Sequence, residues 1–394
     1  MIKARKLARD LQLRRRDNEE HKFWTMFTEC LDSRQIQPLE ISLRDVFEEF
    51  TEGGRELVDS WNPRHGGGGV MLSEAGSAVT TSDFSNITGQ IVYNMVKGKF
   101  NDPVFISGAL ATTIPTRFDG EKIPGIGDIG DEIESIGENQ EYPFAGVSEE
   151  YVETPSTTKR GVIVPVTKEA IFFDRTGLLL QRAGDVSFSM AINKEKRIID
   201  MAIGAVDIYK RNGAAAAGTY VSTPYDNTVA SNALVDWTDI ENAEESFDAL
   251  DDPNTGEPIA VVANTILVPS SLKRTAQRIV SVTGITFGPG GSLVGDVATS
   301  TVATSAQPTG SQYAVLSNQF VQRRMTKDNT ANHTWWIGDP RGAFAYMENW
   351  PITVVRAPSS SHDEFHRDVV DQFKISERGA SAVIEPRKMV QCSV

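Results

Sequence analysis

The chain has 394 residues, 40% of them hydrophobic, with 53 acids against 39 bases and a net charge of −14. That length allows two domains and a sizeable core. No apolar run approaches the roughly 20 residues of a membrane span, and the acidic balance argues against a protein whose main work is gripping nucleic acid across a wide face.

The two cysteines, Cys30 and Cys392, sit near opposite ends. This excludes a disulfide framework or clustered thiolate site and fits a reducing cytosol. The amino terminus is basic but has no apolar stretch of the kind a secretory signal needs.

Residues 1–62 read as a separate arm. The first sixteen carry Lys3, Arg5, Lys6, Arg9, Arg14, Arg15 and Arg16 against one acid, Asp10. Helix formers dominate to about Leu31, with Phe23, Trp24, Phe27 and Leu31 near helical spacing. A second amphipathic piece runs through Leu43, Val46, Phe47, Phe50, Leu57 and Val58. The basic start is either a solvated helix or a contact for an acidic partner, nucleic acid or a neighbouring copy. Gly66 to Gly69 form a joint without Cβ atoms.

Residues 83–100 predict a helix capped by Ser82 or Asp83, and Thr112, Ile114 and Thr116 alternate as a strand would. Residues 119–153 then hold eleven acids against one base, Lys122, with many glycines and no continuous apolar face. Such a segment cannot offset the entropy of its own ordering by burial. It is expected to be an extended loop or hairpin ordered by something outside itself.

Arg160 to Val166 reads as a strand leading into the dominant element of the chain. Thr167 and Asp174 can each cap a helix. From about 178 to 204, Leu179, Ala183, Val186, Met190, Ile198 and Met201 recur at helical spacing with no proline between them. Such a helix is roughly 40 Å long. Arg182, Asp185, Asn193, Lys194, Glu195 and Arg197 are expected to dress its solvent side. A one-sided helix of that length wants a sheet along its flank.

Asp236-Trp-Thr-Asp starts a helix over 238–251, with Ile240, Ala243, Phe247 and Leu250 on one side. Ala260–Val268 is a continuous apolar strand, followed by a helix capped by Ser270 or Ser271. Residues 283–312 are rich in Gly, Ser and Thr and read as a loop. Strands are expected at Tyr313–Leu316, Thr334–Ile337, Ala343–Met347, Ile352–Val355, Val369–Ile375 and Ala382–Ile384. The fold class is α+β.

Two motifs resemble chemistry and fail on context. Gly125–Gly130 (GIGDIG) has the GxGxxG letters, but Pro124 precedes it and Asp128, Asp131, Glu132 and Glu134 would repel a pyrophosphate. His362 and His366 are four apart, yet Asp363 stands where a zincin has Glu and no third ligand is evident. No catalytic residue, cofactor site or metal site is expected.

The order of elements resembles a tailed-bacteriophage major capsid protein of the Hong Kong 97 type over about residues 80–394. The most specific pieces are VTKEAIFFDRTGLLLQ…NKEKRIIDMAIG, ILVPSSLKRTAQ, and the closing Glu377-Arg378…Val383-Ile384-Glu385-Pro386. The resemblance implies an amino-terminal arm over 1–78, which a phage protease would remove if it is scaffold-like, and the start of a peripheral domain over 79–118. It implies an extended E-loop over 119–166 lying on a neighbouring subunit. The peripheral domain with its spine helix would span 167–259, an axial domain 260–365, and strands returning to the peripheral domain 366–394.

It also implies a virion protein, assembled in the host cytoplasm, that forms the hexamers and pentamers of an icosahedral head around double-stranded DNA. Its partners would be copies of itself, scaffold and portal proteins, and no membrane. Contacts between copies would draw on Asp128, Asp131, Glu132 and Glu134 of the acidic segment, and on Lys159, Arg160, Arg323, Arg324, Arg356 and Arg367. Arg14, Arg15 and Arg16 would meet nucleic acid or scaffold. Two rivals remain: an encapsulin-like bacterial shell around a cargo enzyme, and a metal-dependent hydrolase using His362 and His366.

Overall fold

The computed structural model describes residues 4–16, 20–33, 35–38, 41–51, 54–60, 78–100, 105–124, 136, 151–222, 226–250, 259, 261–281, 313–327, 333–358 and 366–393, apart from a few of their side chains. Four helices open the chain: α1 (Ala4–Arg16), α2 (Glu20–Asp32), α3 (Leu43–Phe50) and α4 (Gly54–Ser60). They are followed by α5 (Ala78–Phe100), α6 (Ser107–Leu110), β1 (Thr112–Pro115), β2 (Lys122–Pro124), β3 (Tyr151–Glu153) and β4 (Thr158–Thr167). Next come α7 (Lys168–Phe172), α8 (Thr176–Ala202), β5 (Thr228–Val229), α9 (Trp237–Asp248), β6 (Thr265–Val268) and α10 (Lys273–Ser281). The chain closes with β7 (Ala314–Ser317), α11 (Gln319–Lys327), β8 (Trp335–Gly338), α12 (Pro340–Ala343), β9 (Phe344–Pro358), β10 (Val369–Val383) and β11 (Met389–Cys392). The class is α+β, as expected.

The chain divides into two compact units. The first comprises residues 1–102, 159–192 and 350–378. Its core joins Leu7, Phe23, Phe27, Phe47 and Val58 of the opening helices with Phe84 and Ile91 of α5, Val166 of β4, Leu180 of α8 and Phe373 of β10. The amino-terminal helices therefore do not stand apart as an arm. Phe47 meets Phe84 edge to face at 5.1 Å between ring centroids. Ser42 caps α3 by accepting the Asp45 N–H at 3.1 Å, and the Thr176 hydroxyl accepts the Leu43 N–H at 2.8 Å. Helix α5 begins at Ala78, so Ser82 and Asp83 lie inside it and do not cap it.

The second unit comprises residues 103–158, 193–349 and 379–394. It is built on a five-stranded sheet in the order β5-β11-β8-β6-β7. Strand β8 lies at its centre, antiparallel to both β11 and β6, while β6 and β7 run parallel. Trp335, Trp336 and Ile337 of β8 are fully buried against Ile240, Ala243 and Phe247 of α9 and Ala276 and Ile279 of α10. Helix α9 starts as expected, with Asp236 and Asp239 forming a reciprocal capping box. Gly338 has φ +147°, and a Cβ there would lie 2.1 Å from the Lys388 carbonyl oxygen, so this strand end admits only glycine.

A four-stranded sheet has the order β1-β9-β10-β4, with β9 and β10 contributing residues to both units. Helix α8 also contributes to both. Its expected stripe is buried at Leu179, Ala183, Met190, Ile198 and Met201, with Val186 half-buried. Thr167 caps α7 by accepting the Ala170 N–H at 3.3 Å. Asp174 does not cap α8. It takes a left-handed φ of 48° between α7 and α8 and accepts the Thr176 hydroxyl at 2.8 Å.

Other expectations are revised. The apolar run Ala260–Val268 yields a strand only from Thr265, with Val262 80% exposed. The Ser271 hydroxyl donates to the Gln322 side-chain amide oxygen at 3.0 Å. The two strands expected at 343–347 and 352–355 are one, β9. Pro351 lies beyond the stretch that pairs with β1, which ends at Glu348.

Candidate assembly surfaces

The acidic excursion leaves the second unit from a tightly tied root. Strands β2 and β3 pair antiparallel, with Lys122 opposite Glu153, Ile123 opposite Val152 and Pro124 opposite Tyr151. Asp119 accepts both the N–H and the hydroxyl of Thr157, at 2.7 and 3.0 Å. The Glu121 N–H donates to the Thr154 hydroxyl at 2.8 Å, and the Asn349 amide donates to the carbonyls of Thr116 and Phe118 at 3.1 and 3.0 Å. On the β3 side, the Tyr151 N–H donates to the Asn212 side chain at 3.0 Å while Asn212 returns its own N–H to the Tyr151 carbonyl at 2.9 Å. The hairpin expected from composition is therefore present at its base.

Lys122 stands at that base. Its ammonium lies 4.0 Å above the Tyr151 ring and 3.6 Å from the Glu153 carboxylate. Tyr151 first, and Glu153 after it, hold its pKa above the usual lysine value. The contact candidates Asp128, Asp131, Glu132 and Glu134, and the whole GIGDIG motif, lie outside the described residues.

The cations separate into engaged and outward-facing groups. Arg324 of α11 is engaged within the second unit, where its guanidinium forks onto both carboxylate oxygens of Asp200. Such a bidentate pair is a strong, directional contact, so Arg324 is not the outward cation expected. Its neighbour Arg323 is exposed, as are Lys159 and Arg367, while Arg160 is half-buried. The side chains of Arg356 and Arg15 lie outside the description. Arg14 turns inward, 3.7 Å from the Met26 sulfur and 3.8 Å from Asp10, whereas Arg16 is exposed.

Composition misled most about Glu195. Expected on the solvent side of α8, it is fully buried. Its carboxylate accepts the N–H groups of Ile106 and Ser107 at 2.9 and 3.0 Å and the Asn318 amide at 3.0 Å, closing the start of α6. Lys194 is also engaged, 3.5 Å from Glu348 and 4.1 Å from the Tyr346 ring centroid. A second buried charge pair was equally hidden in the sequence. Arg387 and Glu385 are 1% and 2% exposed and joined by two bonds of 2.6 and 2.8 Å. Only their place in the closing motif could have drawn attention to them.

Among the described residues, no group of three or more His, Cys, Asp or Glu is placed to hold a metal. Of the HDEFH pair only His366 is described, and it is exposed. No helix among the described residues is long and apolar enough to cross a membrane.

The profile of a family described as phage capsid protein matches residues 150–392. The chain belongs to this phage capsid protein family. Its role is that of a structural shell component of a phage particle, not of an enzyme, which removes the metal-hydrolase reading. No curated protein sequence matches the chain.

Solved structures similar to this capsid protein include a phage-related protein from Bordetella bronchiseptica RB50, at 12% identity and TM-score 0.42, covering 77% of this chain and 95% of that one. The capsid of the cyanophage P-SCSP1u matches at 12% identity and TM-score 0.42, over 73% of this chain and 88% of that one. A virus-like particle from Pyrococcus furiosus matches at 10% identity and TM-score 0.40, over 77% and 98%.

Proposed function

We propose that copies of this chain assemble as hexamers and pentamers into the icosahedral head of a phage, around double-stranded DNA and with the Hong Kong 97-type arrangement. In this reading α8 is the spine helix, and residues 79–118, 167–259 and 366–394 form the peripheral domain. Residues 260–365 form the axial domain, with 283–312, which lie outside the described residues, facing the symmetry axes. Assembly takes place in the host cytoplasm with scaffold and portal proteins as partners. Arg14, Arg15 and Arg16 belong to a segment of contact with nucleic acid or scaffold.

The observation that carries the reading is the excursion over 119–158. Its root is held by at least six hydrogen bonds within the second unit, yet its composition supplies eleven acids and no continuous apolar face. A segment anchored so firmly and so poor in core residues is built to reach a neighbouring copy. Lys159, Arg160, Arg323 and Arg367 contribute to the contacts between copies. Each exposed ion pair stabilises by only about 0–1 kcal/mol, and repetition around a closed shell makes the sum effective.

The test is electron microscopy of the full chain, expressed alone and with its genomic neighbours. Closed particles or ring-shaped capsomers are expected. A dispersed monomer in both preparations overturns the proposal. Particles that hold a protein cargo and no DNA replace the phage head with a cargo shell.

A further inference from the structure

A groove of about 400 Å³ opens within the first unit, between α2, α5, β9 and β10. Asn86, Gly89, Gln90 and Tyr93 supply its α5 wall. They stand at i, i+3, i+4 and i+7, one face of a helix about 10 Å long. Trp24 of α2 adds a second aromatic side chain, and Phe373 of β10 lies at the base, fully buried. Gly89 gives the groove its depth. A Cβ there would lie 3.4 Å from the Phe373 ring, so a longer side chain would fill the space above it.

The chemistry of this lining is selective. Among the described residues that form it there is no carboxylate and no cation, so it suits a neutral ligand. Trp24 and Tyr93 offer flat apolar faces with a polar edge. The Trp24 indole N–H can only donate, and the Asn86 and Gln90 amides carry two donors each. The Gln90 amide oxygen already accepts the Thr28 hydroxyl at 3.4 Å, which leaves its NH2 group for another partner. The fitting ligand is slim, apolar and rich in acceptors. A proline-rich strand has that character. Its carbonyls accept, its prolines have no N–H, and its polyproline II helix needs no internal hydrogen bonds. One turn of that helix, three residues, is about 9 Å long, close to the length of the α5 face. This chain carries no such strand: none of its 18 prolines has another three residues away. A second copy is therefore not the occupant.

We propose that the groove between α2 and α5 binds a proline-rich strand of a partner protein. Prolines three apart pack on Trp24 and Tyr93, and the carbonyls between them accept from the Asn86 and Gln90 amides. The amino-terminal helices then serve recognition as well as the core, since Trp24 comes from α2.

The test is titration of capped decaproline into the full-length, unassembled chain, read by calorimetry and tryptophan fluorescence. A capped Gly-Ser peptide of the same length is the control. Saturable binding of decaproline and none of the control is expected. Tyr93→Ala removes a side chain that is 42% exposed, so the melting temperature should stay that of the natural chain while affinity falls at least about tenfold. Gly89→Leu fills the groove and should weaken binding by a similar factor; if it also lowers the melting temperature, Tyr93→Ala alone decides. No saturable binding of decaproline at concentrations up to about 1 mM overturns the proposal. So does equal binding of the Gly-Ser peptide, or full affinity in Tyr93→Ala.

Discussion

The closing strands and the acidic excursion are both rich in charge, yet they handle it in opposite ways. Around β11, the charges are inside: Glu385 and Arg387 are buried and bonded to each other. In the excursion, Asp119, Glu121 and Glu153 at the root are engaged by neighbouring groups of the same unit. The eight acids beyond it, from Asp128 to Glu150, have one sign and no base among them. The first pattern fixes a fold, because a buried charge demands its partner. The second is a run of one sign that carries no partner of its own within the segment. Mutations in the two regions should therefore separate stability from assembly.

The largest loss of stability is expected from Arg387→Ala. Removing one partner of a buried ion pair strands the other and costs about 3–5 kcal/mol, a large part of the roughly 5–15 kcal/mol that holds a typical domain together. Denaturant unfolding of the purified subunit reads it. Replacing Glu385 by Gln and Arg387 by Met together should recover much of the loss, since no charge is then left alone. A single variant as stable as the natural chain would remove the buried pair as the organiser of this end of the sheet.

Gly338→Ala comes next. The added Cβ would sit 2.1 Å from the Lys388 oxygen and 2.9 Å from the Met389 Cα, at a φ of +147°. Forced overpacking of this kind costs about 1–3 kcal/mol and sometimes more. Because β8 and β11 pair at this point, protection of their amides from hydrogen exchange should fall together. Loss confined to β8 alone would contradict the pairing.

Glu244→Gln is expected to act weakly and in the other direction. Burial, Asp248 and Glu241 together raise the Glu244 pKa. For a carboxyl raised in the folded state, the favourable contribution is complete below its unfolded value, about 4.3, and is lost as pH rises through the folded value. The glutamine variant should therefore melt above the natural chain at pH 7 and level with it near pH 4. It keeps an oxygen to accept the Tyr313 hydroxyl, which now bonds Glu244. A gap that widens on acidification would refute the assignment.

What the sequence made legible follows the same division. Helix α8 could be read because its apolar stripe repeats over 27 residues without a proline, and α9 because Asp236 and Asp239 spell their own cap. Strand β4 was readable as the apolar stretch before α8, and the excursion as an extended loop or hairpin from its acids, glycines and missing apolar face. Glu195 was misread because a charged residue on an amphipathic helix ordinarily faces water, and only the distant N–H groups of Ile106 and Ser107 reverse that. The opening helices were misread as an arm because their partners, Phe84, Val166 and Phe373, lie far along the chain. Helix α11 was missed: among its described side chains only Val321 and Met325 are fully buried, too few to set a period. Charges that satisfy each other across the fold leave no local trace, whereas a long run of one sign stands out as composition.

The smallest effect on stability should come from the largest deletion. Pro124 and Tyr151 face each other in the β2–β3 register, so Gly125–Glu150 can be replaced by Asn-Gly, a two-residue turn suited to a hairpin. The variant loses eight acids, yet every hydrogen bond described at the root stays. The subunit should unfold at the same denaturant concentration as the natural chain, within about 0.5 kcal/mol, while particle formation is lost. An aggregated or unfolded variant would place core contacts in the excursion and erase the contrast with the closing strands. A folded variant that still assembles would mean that the acids serve no neighbour. Retained stability with lost assembly is what a segment tied at its root and ordered by another copy must give, since its removal takes contacts from the shell and none from the core.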